Sequence, residues 1–179
     1  ADTLMARFRG LLRISELEDH QRRAAFGPLD PVTLLHELFD FYLPLAEEGG
    51  VSLHLKVPEH LPPLIGDRAL LFEALSNLLS NSLKFTPAGG QVLLIARPEG
   101  DTTFIEVQDT GPGIPDAERE AVFKRFYRSE TGNPSSGFGL GLSIVAAIVN
   151  LHGFKLRIGN SPSGGASLVL ECRQVMVLG

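Results

Sequence analysis

Asn77, Asn81 and Lys84 recur at i, i+4 and i+7, so any helix that carries them displays them on one face. Two amide oxygens beside an ammonium suit a hard cation held on phosphate. Mg2+ takes a few protein oxygens, keeps its waters and draws its remaining ligands from a nucleotide. A solvated polar helix face has the same composition. Further along, Asp109-Thr110-Gly111-Pro112-Gly113-Ile114 follows an alternating stretch that reads as a strand. A carboxylate at a strand end can accept a hydrogen bond from the exocyclic amine of adenine, and Gly111 and Gly113 leave room for a flat base. An ordinary tight turn is built from the same residues. Phe123-Lys124-Arg125-Phe126-Tyr127-Arg128 is basic and aromatic together, which a structural aromatic anchor also explains. Last, Gly137, Gly139 and Gly141 alternate at the start of a predicted helix, where free N–H groups and the positive dipole end accommodate phosphate. This cluster lacks the G-x-G-x-x-G spacing, and no strand leads directly into it, which separates it from the dinucleotide fingerprint.

The elements that must position these residues are legible from periodicity and turn chemistry. Leu4, Phe8, Leu11 and Leu12 fall on one face of a helix spanning about 2–23, which Gly27-Pro28-Leu29-Asp30-Pro31 breaks. Asp30 and Pro31 then form the N-cap and first turn of a helix running to about 48. Residues 51–57 alternate as a half-buried strand, and a proline-rich loop follows through Pro62-Pro63. Asp67 caps a long helix with an apolar stripe of Leu71, Leu75, Leu78, Leu79 and Leu83. Residues 91–97 and 102–108 form a hairpin around Glu99-Gly100-Asp101. A short helix near 116–123, a helix over 140–151 and strands near 155–159 and 166–172 complete the chain. This order predicts an α+β fold, a two-layer α/β sandwich whose mixed, mostly antiparallel sheet has helices on one face.

Length and composition narrow the function classes. The chain has 179 residues, 44% hydrophobic and 21% charged, which suits one globular domain with a proper core. A net charge of −5 gives no electrostatic help in binding nucleic acid. The single cysteine, Cys172, excludes an internal disulfide and fits a reducing compartment. No Cys/His cluster has the spacing of zinc ligands. No apolar run approaches the roughly 18 residues of a spanning helix, and no signal-peptide pattern is present. The first residue is not Met and lies inside a predicted helix, so the chain reads as a soluble piece of a longer protein.

The order Asn-rich helix, Asp-x-Gly-x-Gly loop, Phe-rich box and Gly-x-Gly-x-Gly loop resembles the catalytic ATP-binding domain of sensor histidine kinases. These belong to the GHKL ATPases with the Bergerat fold. The resemblance covers nearly the whole chain, from Leu4 to about Cys172. It implies a catalytic ATP-binding domain over 27–179. Residues 1–26 would be the end of the second helix of the dimerisation and phosphoacceptor hairpin. Asn77 and Asn81 would belong to the Mg2+ and phosphate site, Asn81 most directly, with Lys84 reaching the phosphates and Phe85 beside the nucleotide. Asp109 would read the adenine amine, with Gly111, Gly113 and Ile114 shaping that pocket. Arg128 matches the arginine that approaches the γ-phosphate. Residues 129–136 would form a mobile lid, and Gly137, Gly139, Leu140, Gly141 and Leu142 would close around the triphosphate.

Asn77 also separates branches of that superfamily. ATP-hydrolysing relatives, such as gyrase-type topoisomerases and heat-shock chaperone ATPases, have a Glu there as general base, a role that an amide cannot fill. The resemblance therefore implies phosphoryl transfer from Mg-ATP to an outside nucleophile, in which positioning and charge neutralisation supply most of the catalysis. The nucleophile would be a histidine on the hairpin of a homodimeric parent, with relay to a response regulator receiver domain. The piece would be cytoplasmic and the parent anchored in the bacterial inner membrane. The family's acceptor motif is absent: His36-Glu37-Leu38 is followed by Phe39-Asp40-Phe41 and reads as a helix-surface histidine, so self-phosphorylation is not expected. His152, in the last helical turn before Gly153, reads as a cation at the dipole's negative end, with Gly153 as C-cap.

Three positions depart from the family pattern: Phe85 stands for the usual Tyr, Phe154 for a second Gly and Ser167 for a common Thr. Losing the Tyr hydroxyl removes one polar contact, of order ~1 kcal/mol. Two other functions share these motifs, a nucleotide-binding interaction module that has lost catalysis and an anti-sigma-factor-type serine kinase on the same fold. Intact Asn81, Asp109 and the three glycines argue against the first, and the amphipathic helix before Gly27 argues against the second.

Overall fold

The computed structural model describes residues 9–12, 14, 25–119 and 141–173. Of the expected N-terminal helix, residues 9–12 and 14 are described and are helical. Helix α1 spans Pro31–Glu48, with Pro31 in its first turn and Asp30 as N-cap, whose Oδ1 accepts from the Val32 N–H at 3.0 Å. Helix α2 spans Arg68–Phe85, capped by Asp67, whose Oδ1 accepts from the Leu70 N–H at 3.1 Å. Helix α3 spans Gly141–Leu151 and ends at Gly153, whose φ of 69° is the left-handed conformation of a glycine C-cap.

Among the described residues seven strands form two sheets. In chain order they are β1 (Gly27–Leu29), β2 (Ser52–Lys56), β3 (Leu64–Gly66), β4 (Gln91–Glu99), β5 (Thr102–Asp109), β6 (Lys155–Asn160) and β7 (Ala166–Arg173). The main sheet has the order β2-β4-β5-β7-β6, with β2 parallel to β4 and every other pairing antiparallel. The predicted hairpin is two residues tighter than expected. Glu99 pairs with Thr102, leaving Gly100 and Asp101 as the turn, and Gly100 takes a φ of 63°. Pro98 fits inside β4 because the β2 pairing already ends at Ile95, so its missing N–H forfeits no bond on that side.

One face of the sheet carries the core. Val92, Leu94 and Ala96 of β4, Ile105 and Val107 of β5, and Leu168, Leu170 and Cys172 of β7 are buried, as are Leu71, Leu75, Leu78 and Leu79 of α2. Leu83, the last of the predicted stripe, is only partly buried at the core's margin. The Cys172 thiol has no exposure, and burial pushes its pKa up to about 12. It is a small apolar core group rather than a nucleophile.

The pairing of β1 with β3 departs from the sequence reading, which had a helix break at 27–31 and a proline-rich loop before Asp67. Gly27–Leu29 pairs antiparallel with Leu64–Gly66 as a separate two-stranded ribbon. Each strand is too short for alternation to show, and the ribbon forms because Leu29 and Leu64 both bury in the core.

A second correction concerns His152. Its Nε2 accepts from the Asp67 backbone N–H at 3.0 Å, so the proton sits on Nδ1, which donates to the Ile148 carbonyl at 2.8 Å. The ring is a neutral connector, not a cation at the dipole end. Phe26 stacks on it at 4.6 Å between centroids, Phe154 lies 5.4 Å away, and a Cβ on Gly66 would stand 2.7 Å from its ring. Burial lowers its pKa from 6.5, against the opposing pull of the Ile148 carbonyl and the Asp67 charge. Phe154 is buried beside this ring.

Two predictions follow from these buried groups. Because the folded pKa of His152 is depressed, its contribution to stability is complete above the ordinary value of 6.5 and is lost as pH falls from there through the folded value. Thermal melts from about pH 7.5 down to about pH 5.5 should show a smaller decline for His152→Gln than for wild type; equal declines would contradict the neutral assignment. Cys172 should resist thiol reagents in the native chain and react fully once denaturant unfolds it.

Candidate functional site

Asp109, the last residue of β5, continues the core-facing row of Thr103, Ile105 and Val107 and is 4% exposed. A carboxylate at such a position needs donors. Its Oδ1 accepts from the Gly111 N–H at 2.9 Å and from the Ala166 N–H at 3.0 Å. Among the described residues Oδ2 has no hydrogen-bond partner. The Asp109 carbonyl accepts from the Ser161 hydroxyl at 2.7 Å. The carboxylate is thus anchored by one oxygen and the strand end by its carbonyl, leaving the second carboxylate oxygen as acceptor capacity.

The glycines of the following loop are required by contacts within the protein. A Cβ on Gly111 would lie 2.9 Å from the Phe85 carbonyl, so the loop is pressed against the end of α2. Gly113 has a φ of 78°, and a Cβ there would lie 2.8 Å from the Gly164 carbonyl. Contacts within the protein thus require glycine at both positions, whatever lies on the other side of the loop. Ile114, half-buried, packs on the edge of the core.

Asn77 and Asn81 are half-exposed on α2 and Lys84 is exposed. None of their side chains has a hydrogen bond or ion pair among the described residues, so the amide oxygens and the ammonium remain available and fit a hard cation on a polyphosphate. Phe85, the last helical residue, is half-buried. Ser82 and Thr86 at this helix end are buried with hydroxyls that lack partners among the described residues, which leaves further polar capacity unspent.

Helix α3 packs on α2, and its direction is set by its end: His152 touches Asp67, the N-cap of α2. The two helices therefore run antiparallel. An 11-residue helix spans about 16 Å, which carries Gly141 to about the level of Asn77 and Leu78, a turn short of Asn81. Leu142 is half-buried and Ser143 is buried in that first turn. Arg128, Gly137, Gly139, Leu140, the expected lid at 129–136 and the aromatic box at 123–128 lie outside the described residues.

The structure adds residues between β6 and β7 to which the sequence reading gave no role. Ser161, Ser163, Gly165 and Ala166 all meet Asp109: Ser163 Oγ stands 3.4 Å from its carbonyl, and a Cβ on Gly165 would lie 2.0 Å from that carbonyl. A Gly-Gly pair opening a strand was a signal of close backbone approach, but nothing local named the partner. Ser167, by contrast, bonds Glu106 on the sheet's other face.

This geometry has counterparts among known proteins. Residues 66–175 match the model of the histidine kinase-, DNA gyrase B- and HSP90-like ATPases. The chain is 34% identical over 156 residues to the alginate biosynthesis sensor protein KinB of Pseudomonas aeruginosa, covering 87% of this chain and 26% of that protein. It is 33% identical over 147 residues to the signal transduction histidine-protein kinase BaeS of Escherichia coli, covering 81% of this chain and 31% of that one. Full-length ShkA in complex with AMPPNP superimposes with a TM-score of 0.83 at 29% identity, over 96% of this chain and 36% of that chain. The chain thus spans about a quarter to a third of the curated relatives it matches. The chain belongs to the histidine kinase-, DNA gyrase B- and HSP90-like ATPase family, as a catalytic ATP-binding domain of the histidine kinase type.

Proposed function

We propose that this chain binds Mg-ATP at the end of the sandwich where α2 finishes, β5 finishes and α3 begins, and presents the γ-phosphoryl group to a histidine outside it. The antiparallel packing of α2 and α3 supports this reading, because the helix opened by Gly141 then starts toward the half of α2 that carries Asn77, while the Asp109 loop presses on Phe85. In it Asp109 Oδ2 accepts from the adenine amine, Asn77 and Asn81 supply amide oxygens to the cation, and Lys84 pairs with phosphate. The start of α3 adds N–H groups and the positive end of its dipole. Mg2+, when bound, neutralises charge on the triphosphate oxygens.

Asn77 has no basic oxygen with which to deprotonate water, which favours transfer to an external nucleophile over hydrolysis. The acceptor is a histidine on the dimerisation hairpin of a homodimeric parent, with residues 1–26 as the end of that hairpin and 27–179 as the ATP-binding domain. A response regulator receiver domain then takes the phosphoryl group. Among the described residues no helix is long and apolar enough to cross a membrane, and anchorage in the bacterial inner membrane belongs to the parent.

Calorimetric titration of ATP with and without Mg2+ tests the phosphate end of the site. Binding should depend on Mg2+ and weaken about tenfold or more in Asn81→Ala, as loss of one charge-assisted contact implies. A separately supplied phosphoacceptor hairpin should then become labelled on histidine from γ-labelled ATP. Equal binding by wild type and variant would contradict the assignment of Asn81.

A further inference from the structure

The carbonyl of Asp109 lies where the main sheet stops supporting it. The β5–β7 ladder ends with Gln108 opposite Ser167, so Asp109 projects one residue past the last pair. A buried carbonyl there still needs a donor. Its short bond comes from a side chain 52 positions later in the sequence: Ser161 Oγ, 2.7 Å away, on a residue 6% exposed.

Every polar group of Ser161 is committed. Its N–H donates to the Gly165 carbonyl at 2.7 Å, and its own carbonyl accepts from the Gly164 N–H at 2.9 Å, which closes the turn between β6 and β7. Its single hydroxyl proton goes to Asp109. The contact between the Ser161 and Ser163 hydroxyls, at 2.9 Å, is therefore donated by Ser163, whose own distance to the Asp109 carbonyl is a long 3.4 Å. That second bond polarises the first. The same turn supplies the Ala166 N–H to Oδ1 and, at Gly165, the absence of a Cβ that would otherwise stand 2.0 Å from the Asp109 carbonyl.

From this geometry we infer that Ser161 is a positioning residue for base recognition: its hydroxyl fixes the Asp109 carbonyl and thereby aims the second carboxylate oxygen, which has no partner among the described residues, at the exocyclic amine of adenine. Removing the hydroxyl frees the backbone at Asp109 to rotate, and the carboxylate swings with it. The effect falls on the part of the ligand that Oδ2 touches and spares the phosphates. The inference rests on the proposed reading of Asp109, so its test must separate the two.

The test measures affinities of the full 179-residue chain for ATP and for inosine triphosphate, in which a carbonyl replaces the exocyclic amine. Wild type should prefer ATP, and Asp109→Asn should lose that preference. Ser161→Ala should lower ATP affinity by about three- to tenfold while leaving inosine triphosphate within about twofold, so that the preference shrinks toward that of Asp109→Asn. Ser163→Ala, which removes only the supporting bond, should move the ratio less. Ser161→Thr and Ser161→Val differ only in a hydroxyl at equal shape; Thr should keep the preference and Val lose it, a comparison that stands even where Ser161→Ala is poorly folded. A Ser161→Ala chain that keeps the wild-type ratio while Asp109→Asn loses it overturns the role of Ser161 and leaves the base reading intact. So does a variant that weakens both nucleotides equally. An unchanged ratio in Asp109→Asn overturns the base reading, and the role of Ser161 with it.

Discussion

A carboxylate placed on the core-facing row of a central strand leaves water as the chain folds, and that cost governs the architecture of this end of the molecule. Asp109 extends the row of Ile105 and Val107 but cannot be treated as they are. Backbone N–H groups of Gly111 and Ala166 converge on one of its oxygens, and the Ser161 hydroxyl holds its carbonyl. Each donor comes from a segment that must then lie close, which is why Gly165 and Gly111 carry no side chain. The requirement to satisfy a buried charge thus sets the path of two loops. It also leaves the other carboxylate oxygen without a partner among the described residues, at the end of β5 where the nucleotide is proposed to sit.

The opposite end of the helical layer is held by a neutral ring. His152 joins the last turn of α3 to the N-cap of α2 through both of its nitrogens, and Phe26 covers its face. The Asp67 carboxylate there also accepts from the Ala25 N–H at 3.1 Å, so the segment entering the domain is tied to the same corner. Fixing that corner fixes the antiparallel register of α2 and α3. The register in turn decides which residues of α2 face the start of α3. A contact remote from the proposed phosphate site therefore contributes to its geometry.

Much of this was legible in the sequence, and the boundary of legibility has a physical cause. Capping at Asp30-Pro31 and Asp67, the leucine stripe of α2 up to Leu79 and a turn around Gly100 are local signals, and each formed, the turn tighter than expected. Asn77 and Asn81 declared a shared face through spacing alone. What stayed hidden depends on partners distant in sequence. The β1–β3 ribbon joins segments of three residues each, too brief for periodicity to register. The protonation of His152 is decided by an N–H 85 positions away, and the task of Ser161 by a carbonyl 52 positions away. The close approach of Gly111 to the Phe85 carbonyl likewise joins segments distant in sequence, which no local pattern could announce.

The central claim is that the end of α2, the end of β5 and the start of α3 form one nucleotide site. Amide chemical shifts in a 15N-labelled chain, followed as Mg2+ and a non-hydrolysable ATP analogue are added, test this most directly. The account predicts that the amides of Asn81, Gly111, Ala166 and Gly141 move together with one dissociation constant, while those of Asp67 and Gly153 at the far corner stay in place. Shifts centred on Asp67 and Gly153, with Gly111 and Ala166 unmoved, would contradict it.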